Sequence, residues 1–191
     1  MNLPNKLSCL RLILIPVFTA LFYLTVLPYN YLFALAVFAI ASATDFLDGY
    51  IARKYHLVTN LGKFLDPIAD KVLVSTALIV ICAAEGALIP VVGPVCVAII
   101  LARELIISGF RQVAAKTGFV MAADKVGKIK TVTQDVAMIA LMVYLEFPMA
   151  AFATEWLYYA SNAVLILATV LTIVSGINYI VKNAAVLKDN D

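Results

Sequence analysis

Long apolar runs separated by short polar or proline-containing stretches dominate the pattern of this chain. Six of these runs come close to or exceed the length of about 20 mainly apolar residues that a transmembrane helix needs. Pro28-Tyr29-Asn30 interrupts one long uncharged stretch and indicates a turn between the first two helices. The predicted fold class is therefore an all-α polytopic membrane protein. Its six transmembrane helices are predicted at about residues 7–27, 31–54, 65–85, 90–115, 126–146 and 156–181.

The N-terminus has the cations of a secretory signal, since Lys6 and Arg11 precede an apolar run. No convincing small-residue cleavage site follows, however, and the run is long enough to span a membrane. We expect an uncleaved first helix preceded by a short interfacial segment over residues 1–10. Because the connections between helices are short, residues 1–191 are predicted to form a single membrane domain.

Composition supports a membrane protein and excludes several soluble classes. Hydrophobic residues make up 64% of the 191 residues and charged residues only 14%, whereas a soluble domain has about 25% charged residues. The net charge of +2, from 14 Lys and Arg against 12 Asp and Glu, is too small for a nucleic-acid-binding surface. One His and three scattered Cys exclude a zinc ribbon, a thioredoxin-type site and a disulfide framework.

The distribution of cations predicts the orientation in the membrane. The three proposed outer turns, 27–31, 85–94 and 146–155, contain no Lys or Arg. All 14 cations therefore lie at the termini, in the two remaining loops or at the helix ends beside them. By the positive-inside rule, these segments and both termini are predicted to be cytoplasmic.

Four carboxylates lie near the cytoplasmic ends of the predicted second and third helices: Asp45, Asp48, Asp66 and Asp70. An ionisable group inside a span costs about 2.5–3.5 kcal/mol. The members of each pair are about one turn apart and therefore share a face of their helix. One acidic pair at a helix end is usually an interfacial anchor, but four acids on adjacent helices favour a binding site.

Converging carboxylates without matching cations would repel one another unless some stay protonated or divalent cations neutralise them. Their oxygen ligands favour hard cations such as Mg²⁺ or Mn²⁺, since the single imidazole, that of His56, lies away from the acids. Two acid pairs suit two ions, the arrangement that stabilises both oxygens of an in-line phosphoryl displacement. Gly49, Ala52 and Gly62 would let a bulky anionic group approach these ions closely.

The acids belong to a longer motif with the spacing D-x2-D-G-x2-A-R-x8-G-x3-D-x3-D. Its members are Asp45, Asp48, Gly49, Ala52, Arg53, Gly62, Asp66 and Asp70. At every defined position the motif is similar to the signature of the CDP-alcohol phosphotransferase family. This resemblance implies a membrane enzyme, active as a homodimer, that displaces CMP from a CDP-linked lipid with the hydroxyl of a second substrate.

The same resemblance implies a role for each motif acid. Asp45, Asp48 and Asp66 would bind metal, and Asp70 would lie close to a second metal ion and act as general base. Arg53, together with the metal ions, would neutralise charge on the leaving CMP. The residues expected to bind the CDP-linked lipid are Asn5, Thr44, Gly49, Ala52, Arg53 and Gly62.

A second set of cations lies on the predicted fourth and fifth helices. Arg111 and Lys128 can project towards the same inner end as the acids, where an acceptor that carries a phosphate could bind. The deeper Arg103 joins this set, with an ion pair between Arg103 and Asp135 as the alternative. For Lys130 we expect snorkelling towards anionic headgroups instead.

Further stretches resemble the bacterial phosphatidylglycerophosphate synthases within that family, namely residues 2–5, 102–104, 108–111 and 127–131. The resemblance implies CDP-diacylglycerol as donor, sn-glycerol 3-phosphate as acceptor and a cytoplasm-facing site in the bacterial inner membrane. The alternatives are a sister enzyme that uses phosphatidylglycerol (the cardiolipin type), inositol phosphate or serine, and a cation transporter. A transporter is disfavoured because the acids lie at one end of the helices rather than at the membrane midplane.

Overall fold

Within residues 3–54, 60–116, 125–147 and 153–183, which the computed structural model describes, the chain forms six helices and no strand. The helices are α1 (Leu3–Tyr23), α2 (Asn30–Lys54), α3 (Asn60–Ala83), α4 (Val92–Lys116), α5 (Lys125–Glu146) and α6 (Ala153–Lys182). The all-α prediction is confirmed for these residues, and each helix overlaps the position predicted for it.

Three helices in the described ranges are long and apolar enough to cross a membrane. They contain the segments Asn5–Tyr23, Val92–Gln112 and Glu155–Lys182. α2 adds a shorter apolar stretch, Asn30–Thr44. These lengths suit a membrane protein, because a span needs about 20 mainly apolar residues. The prediction of six spans goes further than these three helices and stays a prediction.

Two helices begin at least four residues earlier than the apolar pattern predicts. α1 begins at Leu3, so residues 3–10, expected to form a separate interfacial segment, are part of the first helix. α3 begins at Asn60 rather than near residue 65. Hydropathy marks only the apolar part of a helix, whereas backbone hydrogen bonding decides where the helix starts.

The predicted turn at Pro28-Tyr29-Asn30 is confirmed. α1 ends at Tyr23, α2 begins at Asn30, and Tyr29 between them has a positive φ of 62°. The side-chain amide of Asn30 donates a hydrogen bond to the carbonyl oxygen of Phe22 at 2.8 Å. This bond satisfies one of the carbonyls that the end of α1 leaves without a helical partner.

The described helices belong to two compact units, of which the first comprises Met1–Ala84 and Met142–Met149. In it, α1 packs against α2 and α3. The ring centroid of Phe18 lies 6.1 Å from that of Phe22 and 6.0 Å from that of Phe38 on α2. Aromatic side chains bury a large apolar area each, so these rings hold α1 against α2.

A carboxylate caps the start of α2 in the same unit. Oε2 of Glu146, at the end of α5, accepts hydrogen bonds from the backbone N–H groups of Tyr31 at 2.9 Å and Leu32 at 3.3 Å. The first N–H groups of a helix have no partner within it and carry partial positive charge. Glu146 therefore satisfies two of them in the helix that carries the first half of the motif.

The second unit comprises Glu85–Leu141 and Ala150–Asp191, and in it α4 packs against α6. Its buried cluster contains Ile107, Phe110 and Tyr179. Asn162 on α6 accepts a hydrogen bond from the N–H of Ile89 at 3.0 Å and donates one to the carbonyl of Ala87 at 3.2 Å, which fixes the segment before α4. The assignment of residues 1–191 to one membrane domain stays a prediction.

Candidate active site

The motif is carried by α2 and α3, two helices of the first unit. Positions 45 and 48 lie about one turn apart towards the end of α2, so the helical spacing that the motif requires is present there. The side chains at five motif positions lie outside the described residues, and their roles stay predictions. These positions are Asp45, Asp48, Gly49, Ala52 and Arg53.

Asp66 and Asp70 lie about one turn apart on α3. Asp66 is half-buried and Asp70 is exposed. Oδ1 of Asp66 accepts a hydrogen bond from the hydroxyl of Ser8 on α1. Gly62, about one turn before Asp66, is buried. This part of α3 therefore presents one carboxylate held by a neighbouring helix and one exposed to solvent.

Three buried polar side chains, Asn5, Ser8 and Arg11, follow one another at three-residue intervals on α1. At this spacing they lie on one side of the helix. Nε of Arg11 donates hydrogen bonds to the carbonyl of Ala41 at 3.2 Å and to Oγ1 of Thr44 at 3.4 Å, and the Thr44 hydroxyl donates to the same carbonyl at 2.6 Å. α1 thereby holds α2 at the residue that precedes the first motif acid.

The donor chemistry of the motif fits a divalent cation. Its acids supply only carboxylate oxygens, the ligands that Mg²⁺ and Mn²⁺ prefer. Among the side chains that the structure describes, no group of three or more His, Cys, Asp or Glu could hold a metal ion. Asp45 and Asp48 lie outside that set, so the described part of the motif supplies two possible ligands, Asp66 and Asp70.

Arg103 of α4 lies in a polar cluster of the second unit. Its Nη2 donates to Oγ of Ser175 on α6, and its Nη1 lies 3.6 Å from Oε1 of Glu104. Its Nε is buried and has no hydrogen-bond partner within the described ranges. A Cβ at Gly176 would lie 3.1 Å from Cγ of Arg103, so glycine leaves room for this side chain. Among the described residues, Arg103 thus forms an ion pair with Glu104, its neighbour in sequence.

The prediction that Lys130 extends towards lipid headgroups is wrong. Its side chain is only 2% exposed, and its Nζ contacts Oε1 of Glu104. A buried charge needs a partner of opposite sign to offset its desolvation, and here that partner comes from α4. Sequence alone does not reveal the pair because its members lie 26 positions apart on different helices.

The other two cations predicted to bind the acceptor, Arg111 and Lys128, are exposed. Nε of Arg111 donates a hydrogen bond to Oη of Tyr179 at 3.0 Å, and its guanidinium carbon lies 5.1 Å from the centroid of that ring. Tyr179 is buried and meets Phe110 edge-on at a centroid distance of 6.2 Å. Because Tyr179 engages Nε, the fork of Nη1 and Nη2 is the part of Arg111 that can bind an anion.

Two residues that contact predicted site residues are not predicted from the sequence: Ser8, which contacts Asp66, and Tyr179, which contacts Arg111. Ser8 had a signal that could have found it, since it stands three residues from Asn5 and from Arg11 in a helix that is otherwise mostly apolar. Tyr179 had none, because a tyrosine among the apolar residues of α6 is typical of ordinary packing.

Comparison with known proteins bears on both the motif and the rest of the chain. Residues 1–180 match the family model of the CDP-alcohol phosphatidyltransferases. The chain is also similar to bacterial proteins named CDP-diacylglycerol–glycerol-3-phosphate 3-phosphatidyltransferase. It is 40% identical to the one from Bacillus subtilis (strain 168), with 100% of this chain and 99% of the relative covered. With the protein from Pseudomonas fluorescens the identity is 39%, with 94% of this chain and 89% of the relative covered. With the protein from Escherichia coli (strain K12) the identity is 37%, with 98% of each chain covered.

Proposed function

Because the chain belongs to the CDP-alcohol phosphatidyltransferase family, we propose that it transfers the phosphatidyl group of CDP-diacylglycerol to sn-glycerol 3-phosphate. The products are phosphatidylglycerophosphate and CMP, which places the enzyme in phospholipid biosynthesis. The observation that carries the proposal is full-length similarity, at 37–40% identity, to relatives named for this reaction. The motif between residues 45 and 70 supports it from the sequence itself.

The first unit is proposed to bind the donor and two divalent cations, Mg²⁺ or Mn²⁺. The residues proposed to hold the cations are Asp45, Asp48, Asp66 and Asp70. Bound cations would neutralise the pyrophosphate and so favour departure of CMP. The residues proposed to bind the headgroup of CDP-diacylglycerol are Asn5, Thr44, Gly49, Ala52, Arg53 and Gly62. The carboxylate chemistry of the motif and the buried polar residues of α1 beside it support this assignment.

In the proposed reaction, a hydroxyl oxygen of the acceptor attacks the phosphorus that carries the diacylglycerol. A P–O bond to the acceptor forms, the P–O bond to CMP breaks, and CMP leaves with the bonding electron pair. Asp70 takes the hydroxyl proton as general base, a role that its exposed carboxylate permits. Arg53 is assigned to the charge that develops on the leaving CMP.

The phosphate of the acceptor is proposed to bind to Arg103, Arg111 and Lys128. Support for Arg111 comes from its contact with Tyr179, which leaves the two terminal nitrogens of the guanidinium for a phosphate. Lys128 is exposed and can contribute a point charge. Arg103 has a buried Nε donor without a hydrogen-bond partner among the described residues, and an anion would satisfy it.

We further propose that the chain crosses the bacterial inner membrane six times and works as a homodimer among membrane lipids. Both termini and the active site would face the cytoplasm, where glycerol 3-phosphate would reach it. Support for this topology comes from the three apolar helices and from outer turns that lack Lys and Arg.

The proposal is tested by incubating the purified protein in detergent micelles with CDP-diacylglycerol, Mg²⁺ or Mn²⁺ and one alcohol at a time. The alcohols are glycerol 3-phosphate, phosphatidylglycerol, inositol phosphate and serine, and the readout is CMP release. We expect release with glycerol 3-phosphate and none above background with the other three. Release with another alcohol would assign the chain to a sister reaction, and no release with any would contradict a transferase.

A further inference from the structure

The hydroxyl of Ser8 connects α1 to the carboxylate of Asp66. Ser8 has no exposed surface, and its Oγ donates a hydrogen bond to Oδ1 of Asp66 on α3. The two residues lie 58 positions apart in sequence, so the contact depends on the packing of α1 against α3. Asp66 itself is only half-buried, so its carboxylate lies between a protein partner and the solvent.

A hydrogen bond to one carboxylate oxygen restricts rotation of the carboxylate about its bond to Cβ. Groups that hydrogen-bond to a metal ligand orient it, and removing them typically weakens metal binding or activity by about 10- to 100-fold. A buried hydroxyl is well suited to this purpose, because water does not compete for the hydrogen bond. With Oδ1 held by Ser8, lone pairs of Oδ2 remain for a cation.

We propose that Ser8 is a positioning residue that holds Asp66 in the orientation in which it binds the divalent cation. The proposal rests on the proposed function in one respect, since it takes Asp66 as a cation ligand. It extends the cation site to α1, a helix that contributes no acid to the motif. The competing explanation is that the Ser8 hydrogen bond only joins α1 to α3.

Two variants of Ser8 and one matched control separate these explanations. Ser8→Ala removes the hydroxyl, and Ser8→Cys keeps a side chain of similar size with a much weaker donor. Ser161→Ala is the control, because Ser161 is equally buried but donates to a carbonyl of its own helix, that of Tyr158, at 3.0 Å. Asp66→Asn serves as the reference for a lost ligand.

The experiment is a Mn²⁺ titration of each full-length purified variant in detergent, in which electron paramagnetic resonance measures the unbound ion. Thermal unfolding without metal is recorded in parallel. We expect both Ser8 variants to bind Mn²⁺ at least about 10-fold more weakly than the wild type, with Ser161→Ala unchanged and the unfolding midpoints without metal similar. Because alanine and cysteine differ in size, a loss of Mn²⁺ affinity in both Ser8 variants would point to the missing hydroxyl rather than to altered packing.

Wild-type Mn²⁺ affinity in Ser8→Cys would overturn the proposal, and so would an equal loss in Ser161→Ala. A wild-type protein that binds no Mn²⁺ would also overturn it. The Mn²⁺ titration contains no acceptor, so its result does not depend on which alcohol the enzyme uses. The proposal that the acceptor is glycerol 3-phosphate is contradicted separately, if CMP is released with a different alcohol.

Discussion

The guanidinium of Arg111 lies over the ring of Tyr179, with its carbon 5.1 Å from the ring centroid and its Nε donating to Oη at 3.0 Å. An exposed arginine on α4 is thus held by a buried tyrosine on α6. A side chain fixed in this way loses less conformational freedom when it binds a phosphate than an arginine that moves freely in solvent. The contact gives a physical reason to treat Arg111 differently from an ordinary headgroup anchor.

Replacing Arg111 with alanine should affect the acceptor and not the donor. A lost hydrogen bond to a charged group costs about 1.5–3 kcal/mol, so kcat/KM for glycerol 3-phosphate should fall roughly 10- to 100-fold. The KM for CDP-diacylglycerol should stay close to its wild-type value. Lys182→Ala, at another exposed cation of the second unit, is the control and should change neither constant. Equal losses for both substrates would assign Arg111 to anchoring or stability.

Tyr179→Phe should also affect the acceptor rather than the donor, but less than Arg111→Ala does. The variant keeps the ring under Arg111 but loses a neutral hydroxyl whose hydrogen bond is worth about 0.5–1.5 kcal/mol. The KM for glycerol 3-phosphate should therefore rise by roughly 2- to 10-fold while kcat is retained. Tyr159→Phe, at an exposed tyrosine of the same helix, is the matched control. An unchanged KM in Tyr179→Phe would separate Tyr179 from acceptor binding.

Asp70→Asn tests the proposed general base. The amide is nearly the same size as the carboxylate but cannot take the hydroxyl proton, so turnover should fall by about 10²-fold or more. The folded protein and its binding of CDP-diacylglycerol should persist, and both can be measured on the same preparation. Glu85→Gln, at an exposed acid outside the motif, should keep full turnover. Near-normal turnover in Asp70→Asn would remove Asp70 from this role.

The buried pair of Lys130 and Glu104 predicts a non-additive effect on stability. Glu104→Gln leaves Lys130 buried without its opposite charge, and such changes cost about 3–5 kcal/mol. Adding Lys130→Met removes the stranded charge, so the double variant should recover part of the lost free energy of unfolding. Lys128→Met, at an exposed cation on the same helix, should change stability little. Additive losses in the double variant would contradict the pairing.

Cysteine labelling tests the six-span topology. Cys9, Cys82 and Cys96 are first replaced, and single cysteines are then introduced by Val91→Cys, Phe152→Cys and Tyr55→Cys. The first two should react with an impermeant reagent from the periplasmic face, and the third only from the cytoplasm. Cytoplasmic reaction at the first two positions would contradict the predicted orientation.

Local patterns in the sequence predicted much of the fold. Hydropathy located all six helices of the described ranges, and Pro28-Tyr29-Asn30 located the turn between the first two. The motif spacing predicted that Asp66 and Asp70 lie about one turn apart on α3. These successes share a cause, since each depends on residues that are near one another along the chain.

What the sequence did not predict depends on contacts between distant residues. In the sequence, Lys130 resembles a surface lysine. Its contact with Glu104 is formed only by the packing of the second unit. In the sequence, Ser8 resembles a polar residue without a particular role. Its hydrogen bond to Asp66 is formed only by the packing of α1 against α3. Hydropathy indicates that a segment is buried, but it does not indicate which side chain will lie opposite.

The central claim is tested most directly by following the oxygen atom of the acceptor. Glycerol 3-phosphate labelled with ¹⁸O in its hydroxyl oxygens is incubated with CDP-diacylglycerol, a divalent cation and the purified protein, and both products are analysed by mass spectrometry. If an acceptor hydroxyl attacks the phosphorus that carries the diacylglycerol, the label is retained in phosphatidylglycerophosphate and the CMP is unlabelled. CMP released without a labelled phosphatidylglycerophosphate would contradict the transfer.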